Sequence, residues 1–186
     1  MSKKVLICWG GWEGHEPKQC TELVADVLSK EGFDVELSNS LDVYLDMNKI
    51  MALDLIVNNW TMGTITKPQT IGLNTAIKSG VGLAGWHGGL GDAFRSDTRY
   101  QFMIGGQFVH HPPERTEFEV NIVKHDDPII QGIDDFKMVS EPYFMHVDPS
   151  NDVLATMTIH NKDHSWIDGC VMPVVWKRKF YQGKVF

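Results

Sequence analysis

Short apolar runs alternate with helix-periodic segments over roughly the first hundred residues, and this alternation constrains the fold more than any other feature. Lys4 to Trp9 reads as a continuous apolar strand, Asp34 to Ser38 as a second, and Val81 to Trp86 as a fourth. The third, Asp54-Leu55-Ile56-Val57-Asn58, has the composition of a parallel strand buried on both faces. Between the first two, Glu16 to Lys30 repeats apolar residues at helical spacing, with Cys20, Leu23, Val24, Val27 and Leu28 on one face and Glu31-Gly32 as its stop. Lys67 to Ser79 predicts a helix with proline in its first turn and Gly80 at its end. Leu41 to Ala52 is mixed. The spacing is that of βα units, which implies an open, mainly parallel twisted sheet flanked by helices. Ligands of such sheets sit at the carboxyl ends of the strands. Three loops should meet there, Gly10 to Pro17, Asn58 to Gly63 and Gly85 to Asp92.

The third of these loops carries Gly85-Trp86-His87-Gly88-Gly89 between an apolar strand and a segment, Leu90 to Phe102, that can form a helix. The pattern G-x-H-x-G has the punctuation of a nucleophile elbow, with histidine where serine or cysteine would stand. Glycines flank such a turn because the chain reverses sharply and its neighbours leave no room for a Cβ. The central side chain is displayed at the sheet's carboxyl edge, where an imidazole can bind a metal or move a proton. The plainer alternative is a glycine-rich turn whose histidine hydrogen-bonds the backbone.

Beyond Phe102 the texture changes. Gly105 to Pro113 reads as a turn-rich loop with too much proline for a central strand. Phe118 to Val123 alternates as a half-exposed strand, and Asp126-Asp127-Pro128 opens a short helix or turn through Ile133. Ser140 to Phe144, Val153 to Ile159 and Val171 to Trp176 predict further strands, with a turn near Gln182-Gly183. Lys177-Arg178-Lys179 reads as the solvated end of a strand. No repeat or linker divides the chain, so residues 1–186 are expected to form a single domain. Lys184-Val185-Phe186 starts a strand at which the sequence stops, which suggests a truncated C-terminus, and a longer version is expected to bind its ligands more tightly.

Composition narrows the function classes. The chain is 42% hydrophobic and 22% charged, with a formal net charge of −7 and no long basic run, so nucleic acid or an anionic membrane is not an expected partner. No apolar run has the length of a membrane span, and Ser2-Lys3-Lys4 followed by Val5-Leu6-Ile7-Cys8 reads as a first strand, so a leader is not expected. Cys8, Cys20 and Cys170 are odd in number and widely spaced, which argues against a disulfide framework and for a cytoplasmic location. A homo-oligomer, most simply a dimer, is the expectation for a soluble enzyme of this size.

With these residues in hand, the chain resembles the trehalose-utilisation (ThuA-like) family, whose fold is similar to that of the class I glutamine amidotransferases and is flavodoxin-like in architecture. The resemblance rests on Trp9-Gly10-Gly11 with Gly14-His15-Glu16-Pro17, and on Gly85-Trp86-His87-Gly88. It continues through Gly105 to Pro112, Ser140-Glu141-Pro142-Tyr143, Pro173-Val174-Val175-Trp176 and Gly183-Lys184-Val185-Phe186. It implies a role in carbohydrate utilisation. It departs from the amidotransferases at the elbow, where His87 replaces their cysteine, so thiolate glutaminase chemistry is not expected. The family's closing strand runs on into a Leu-Gly-His segment that this sequence does not reach.

His15, His87, His111 and His146, with Glu141, are the candidate first ligands of zinc or a similar divalent ion, because neutral imidazole and carboxylate suit such metals. No local H-x-x-x-H spacing supports this, so it depends on convergence in the fold. For each residue there is a plainer role: a loop cap for His15, a solvated edge carboxylate for Glu141, an exposed turn for His146. Of His110 and His111 only one should face a site, and His111, beside proline, is the choice. His87, Glu141 and Tyr143 are the candidate catalytic groups, Glu141 as base or ligand and Tyr143 as proton donor. Trp12, Trp60 and Trp86 are candidate sugar-stacking surfaces, although core filling is the usual fate of tryptophan. The expectation is a cytoplasmic, metal-assisted enzyme acting on a small sugar or keto-sugar by hydrolysis, elimination or isomerisation. The alternative is a non-catalytic module of the same fold that binds carbohydrate or a partner protein.

Overall fold

The computed structural model describes residues 2–112 and 114–186. They form two compact units, the first from Met1–Ile104 and Lys179–Phe186, the second from Gly105–Arg178.

In the first unit the expected βα order is present. Strand β1 (Lys4–Gly11) leads to helix α1 (Pro17–Lys30) and strand β2 (Asp34–Ser38). A 3-10 turn, Leu41–Leu45, and a short helix α2 (Met47–Ile50) replace the mixed segment. Then follow β3 (Leu55–Thr61), α3 (Lys67–Ser79), β4 (Gly82–Gly85), the single turn α4 (His87–Leu90) and α5 (Thr98–Ile104). The chain's last strand, Gly183–Val185, returns to this unit and pairs with β4 through Val185 and Leu83. Every recorded strand pair here is parallel, with Val5 beside both Val35 and Leu55 and with Leu55 beside Gly82. Alternation along β1 divides the core. Val5 and Ile7 pack with Val24, Ala25 and Leu28 of α1, whereas Leu6 and Cys8 join Leu41, Tyr44, Leu73 and Ile77 on the other face.

Two expectations are corrected in this unit. The buried stripe of α1 runs through Pro17, Thr21, Val24, Ala25 and Leu28, leaving Leu23 and Val27 exposed at 67% and 54%. Periodicity alone allowed either neighbouring stripe, and contact with β1 selects this one. The helix expected over Leu90 to Phe102 is broken: α4 stops at Leu90 and α5 begins at Thr98. Phe94 adopts a left-handed conformation (φ 50), Asp92 pairs with Arg95, and Asp97 Oδ1 accepts from the Tyr100 amide in the manner of an N-cap.

The second unit is antiparallel. Its strands are β5 (Gly106–His110), β6 (Thr116–Ile122), β7 (Phe136–Ser140), β8 (Phe144–Val147), β9 (Asp152–Thr158) and β10 (Val171–Phe180). β10, β9, β6 and β7 lie in that order, and β5 pairs separately with β8. The strand at Gly183–Val185 is therefore β11. Gly106 to His110 is a strand rather than part of the expected loop, because the prolines come only after it and β8 supplies its ladder partners; Pro113 lies outside the described residues. Ser140 to Phe144 is not one strand but the connection between β7 and β8, interrupted at Pro142, which has no N–H for a ladder.

Lys177 and Arg178 are not solvated as expected. Lys177 pairs with Asp127, and Arg178, whose side chain is 7% exposed, donates to Asp148 Oδ2 and Asn151 Oδ1 at 3.0 Å each. The Asn151 amide in turn donates to the Gly105 carbonyl at 2.6 Å. The first and last residues of the unit are thus tied to one turn.

Candidate functional site

From β1 the chain moves outward to β2 and then returns to the other side of β1 for β3. The strand order reverses between β1 and β3, which is where open α/β sheets form their binding crevice. The loops after β1, β3 and β4 flank this point.

His15 ends the 3-10 turn Glu13–His15 that follows β1. The turn is tied to β3 by the Trp12 amide, which donates to the Thr61 carbonyl at 3.1 Å. His15 Nδ1 lies 3.0 Å from Thr61 Oγ1, and the Trp12 ring stands edge-on to the imidazole at 4.8 Å between centroids. Trp12 is itself 49% exposed.

His87 opens α4 in a left-handed conformation, φ 48, which few residues with a Cβ adopt. Its ring centroid is 4.9 Å from that of His15, and the ligand atoms of the two rings lie within 4.8 Å of one another. The flanking glycines are fixed by contact. A Cβ on Gly88 would lie 2.6 Å from the His15 ring, on Gly85 2.6 Å from the Asn58 carbonyl oxygen, and on Gly89 2.6 Å from Asn59 Oδ1. The elbow is therefore pressed between the end of β3 and the His15 turn, and this pressure brings the two imidazoles together.

Two buried asparagines that the sequence reading passed over hold the arrangement. Asn58 Nδ2 donates to the Gly89 carbonyl at 2.5 Å, while its Oδ1 accepts from the Tyr44 hydroxyl at 3.1 Å. Asn59 Nδ2 donates to the Pro17 carbonyl and to Thr21 Oγ1 at 3.0 and 2.9 Å, fixing the start of α1. Their signal was present as a polar pair inside an apolar parallel strand. Burial raises the pKa of the Tyr44 and Tyr100 hydroxyls and pushes the Cys8 thiol up to about 12, so this network is neutral at physiological pH.

Of the other candidates in this unit, Trp60 covers Gly10 and Gly63 and packs on the main core, and Trp86 packs with Val5, Ile7 and Val57. The second unit holds the rest. Glu141 is half-buried between β7 and β8, next to a buried Pro142. Tyr143 packs on Phe108 at 4.6 Å and lies 6.3 Å from the His111 ring in a stacked orientation. His111 Nδ1 is buried and has no hydrogen-bond partner among the described residues, whereas His110 is exposed. His146 is exposed on β8, opposite Gln107.

The profile of the ThuA family, described as trehalose utilisation, matches residues 4–186. The chain belongs to the ThuA family. No curated protein matches it. Among solved structures it is similar to a ThuA-like protein from Bacteroides uniformis ATCC 8492, with 17% identity and a TM-score of 0.78 over 99% of this chain and 80% of that one. A ThuA-like protein from Parabacteroides merdae ATCC 43184 follows at 15% identity and TM-score 0.74, covering 100% of this chain and 78% of that one. A glutamine amidotransferase from Thermotoga maritima shares the fold at 11% identity and TM-score 0.52, over 100% and 75% of the two chains. This ThuA chain thus has the amidotransferase-like α/β fold, with helices flanking an open sheet. Among its described residues no helix is long and apolar enough to cross a membrane.

Proposed function

We propose that this protein is a cytoplasmic, metal-dependent sugar-processing enzyme in which His15 and His87 hold a divalent cation, zinc first among them. The observation that carries this reading is the approach of two imidazoles from separate loops to 4.9 Å at a glycine-flanked elbow. The donor set suits the ion: neutral imidazoles bind zinc, and a ligating histidine commonly anchors one ring nitrogen on a neighbour and presents the other. Thr61 is that anchor for Nδ1 of His15, so Nε2 is its ligating atom. When bound, the cation would polarise a sugar carbonyl or lower the pKa of water.

The remaining roles belong to side chains. The carboxylate role, as ligand or as the base that removes a proton from the carbon beside the carbonyl, is the one proposed for Glu141. Tyr143 is proposed to return a proton to oxygen, and His111 and His146 are the further imidazoles proposed as ligands. Trp12, half exposed beside His15, is a surface on which a sugar ring can stack, with Trp60 and Trp86 behind it.

Metal content and zinc titration of the wild type and His87→Ala test the reading. The wild type should bind one equivalent and the variant at least tenfold more weakly. Equal binding by both, or none by the wild type after supplementation, would reject it.

A further inference from the structure

A cavity lies on the α1 side of the first unit's sheet, lined by Trp9, Lys18, Thr21, Glu22, Leu37 and Asn39. Its origin is local. Trp9 follows Val5 and Ile7 in the row that alternation on β1 turns toward α1, but it lies outside the apolar cluster that they form with the helix. The indole is therefore left half-exposed at the strand's carboxyl end. β2 ends beside it, adding the exposed Leu37 and Asn39. The first turns of α1 supply Lys18 and Glu22, 3.8 Å apart on the rim.

The cavity has a volume of about 210 Å³. At ~30 Å³ for each water it has room for about seven, the size class of one pyranose ring. Its chemistry is also that of a sugar site: apolar surface from Trp9 and Leu37 for a C–H face, with a carboxylate, an ammonium and an amide at the edge for hydroxyl groups.

The buried Asn59 connects the cavity lining to the histidine elbow. Trp9 stands opposite Asn59 in the β1–β3 register, and Asn59 bonds Thr21 in the cavity lining while its other face packs on Gly89 of the elbow. We propose that this cavity is a saccharide subsite that seats one pyranose ring, neighbouring the ring processed at His15 and His87. The proposal rests on the sugar reading given above and extends it to a ligand longer than a single ring.

Titration of the zinc-supplemented protein with glucose and with trehalose, followed by ligand-observed NMR, tests it. The variants are Asn39→Ala and Glu22→Gln, both exposed and safe for folding, with Trp9→Phe as a conservative change of the floor and His87→Ala as a control for the metal pair. Trehalose binding should weaken at least fivefold in Asn39→Ala and Glu22→Gln and less in Trp9→Phe, and weak glucose binding should survive in His87→Ala. Sugar binding that is lost in His87→Ala yet unchanged in Asn39→Ala and Glu22→Gln would overturn the subsite and leave the metal reading intact. Absence of binding by either sugar to the wild type would overturn the subsite outright, while zinc titration judges the metal pair separately.

Discussion

His87 is held in a conformation that costs about 1–2 kcal/mol for a residue with a Cβ. Glycine would adopt this conformation without that cost, so a histidine held there beside the His15 ring points to use of the imidazole. His87→Gly should raise the thermal midpoint, by up to about 1 kcal/mol of stability, while abolishing zinc binding. A fall in the midpoint, measured without metal, would show that the imidazole is structural. Gly88→Ala should act in the opposite sense. Its Cβ would lie 2.6 Å from the His15 ring, so the variant should lose about 1–3 kcal/mol and weaken zinc binding at the same time. Calorimetry on both proteins separates the two effects.

Among the elements, the turn that joins β8 to β9 carries the clearest electrostatic consequence. Asp148 is held down at about 2, first by the Ser150 amide and hydroxyl and then by the Arg178 guanidinium. A carboxyl lowered on folding stabilises the native state above its unfolded value, near pH 4, and that contribution is lost as pH falls through about 2. Asp148→Asn should therefore lower the midpoint at pH 7 and flatten the acid limb of the stability profile between about pH 4 and 2. A parallel shift of the whole curve would mean that the charge is not the cause. The substitution also leaves the buried Arg178 without its counter-ion, and unpaired buried charge is the costlier part of such a change.

For the molecule as a whole, the arrangement of the chain matters more than any single contact. The first unit is completed only when the chain returns to it at Lys179. β11 then buries Val185 to 1% exposure, and the Phe186 backbone bonds both Gly85 and Leu83, beside the elbow. Deleting residues 182–186 should cost at least the ~1.5–3 kcal/mol of one buried aliphatic side chain, together with the ladder bonds. It should also loosen Gly85 and with it His87, so zinc binding should fall even in protein that remains folded. Unchanged affinity after this deletion would show that the elbow is set by β3 and the His15 turn alone.

The sequence by itself determined the order of strands and helices in the first unit, the glycine elbow, and the loops that meet at the sheet's carboxyl edge. These follow from periodicity and from backbone needs that are written locally, as in Lys67 to Ser79 with its proline start and glycine stop. It did not determine which stripe of α1 is buried, because two adjacent stripes are comparably apolar and only β1 chooses between them. Nor did it reveal Asn58, Asn59 and Thr61 as the supports of the site, since their partners lie 14 to 46 residues away and no local pattern records such a contact. The same holds for Arg178, charged and adjacent to two lysines, yet buried because Asp148, Ser150 and Asn151 surround it. Tertiary structure set how closely His15 and His87 approach once their loops share one edge: that distance depends on where separate strands end, which is fixed by sheet order and register, and local sequence does not encode these.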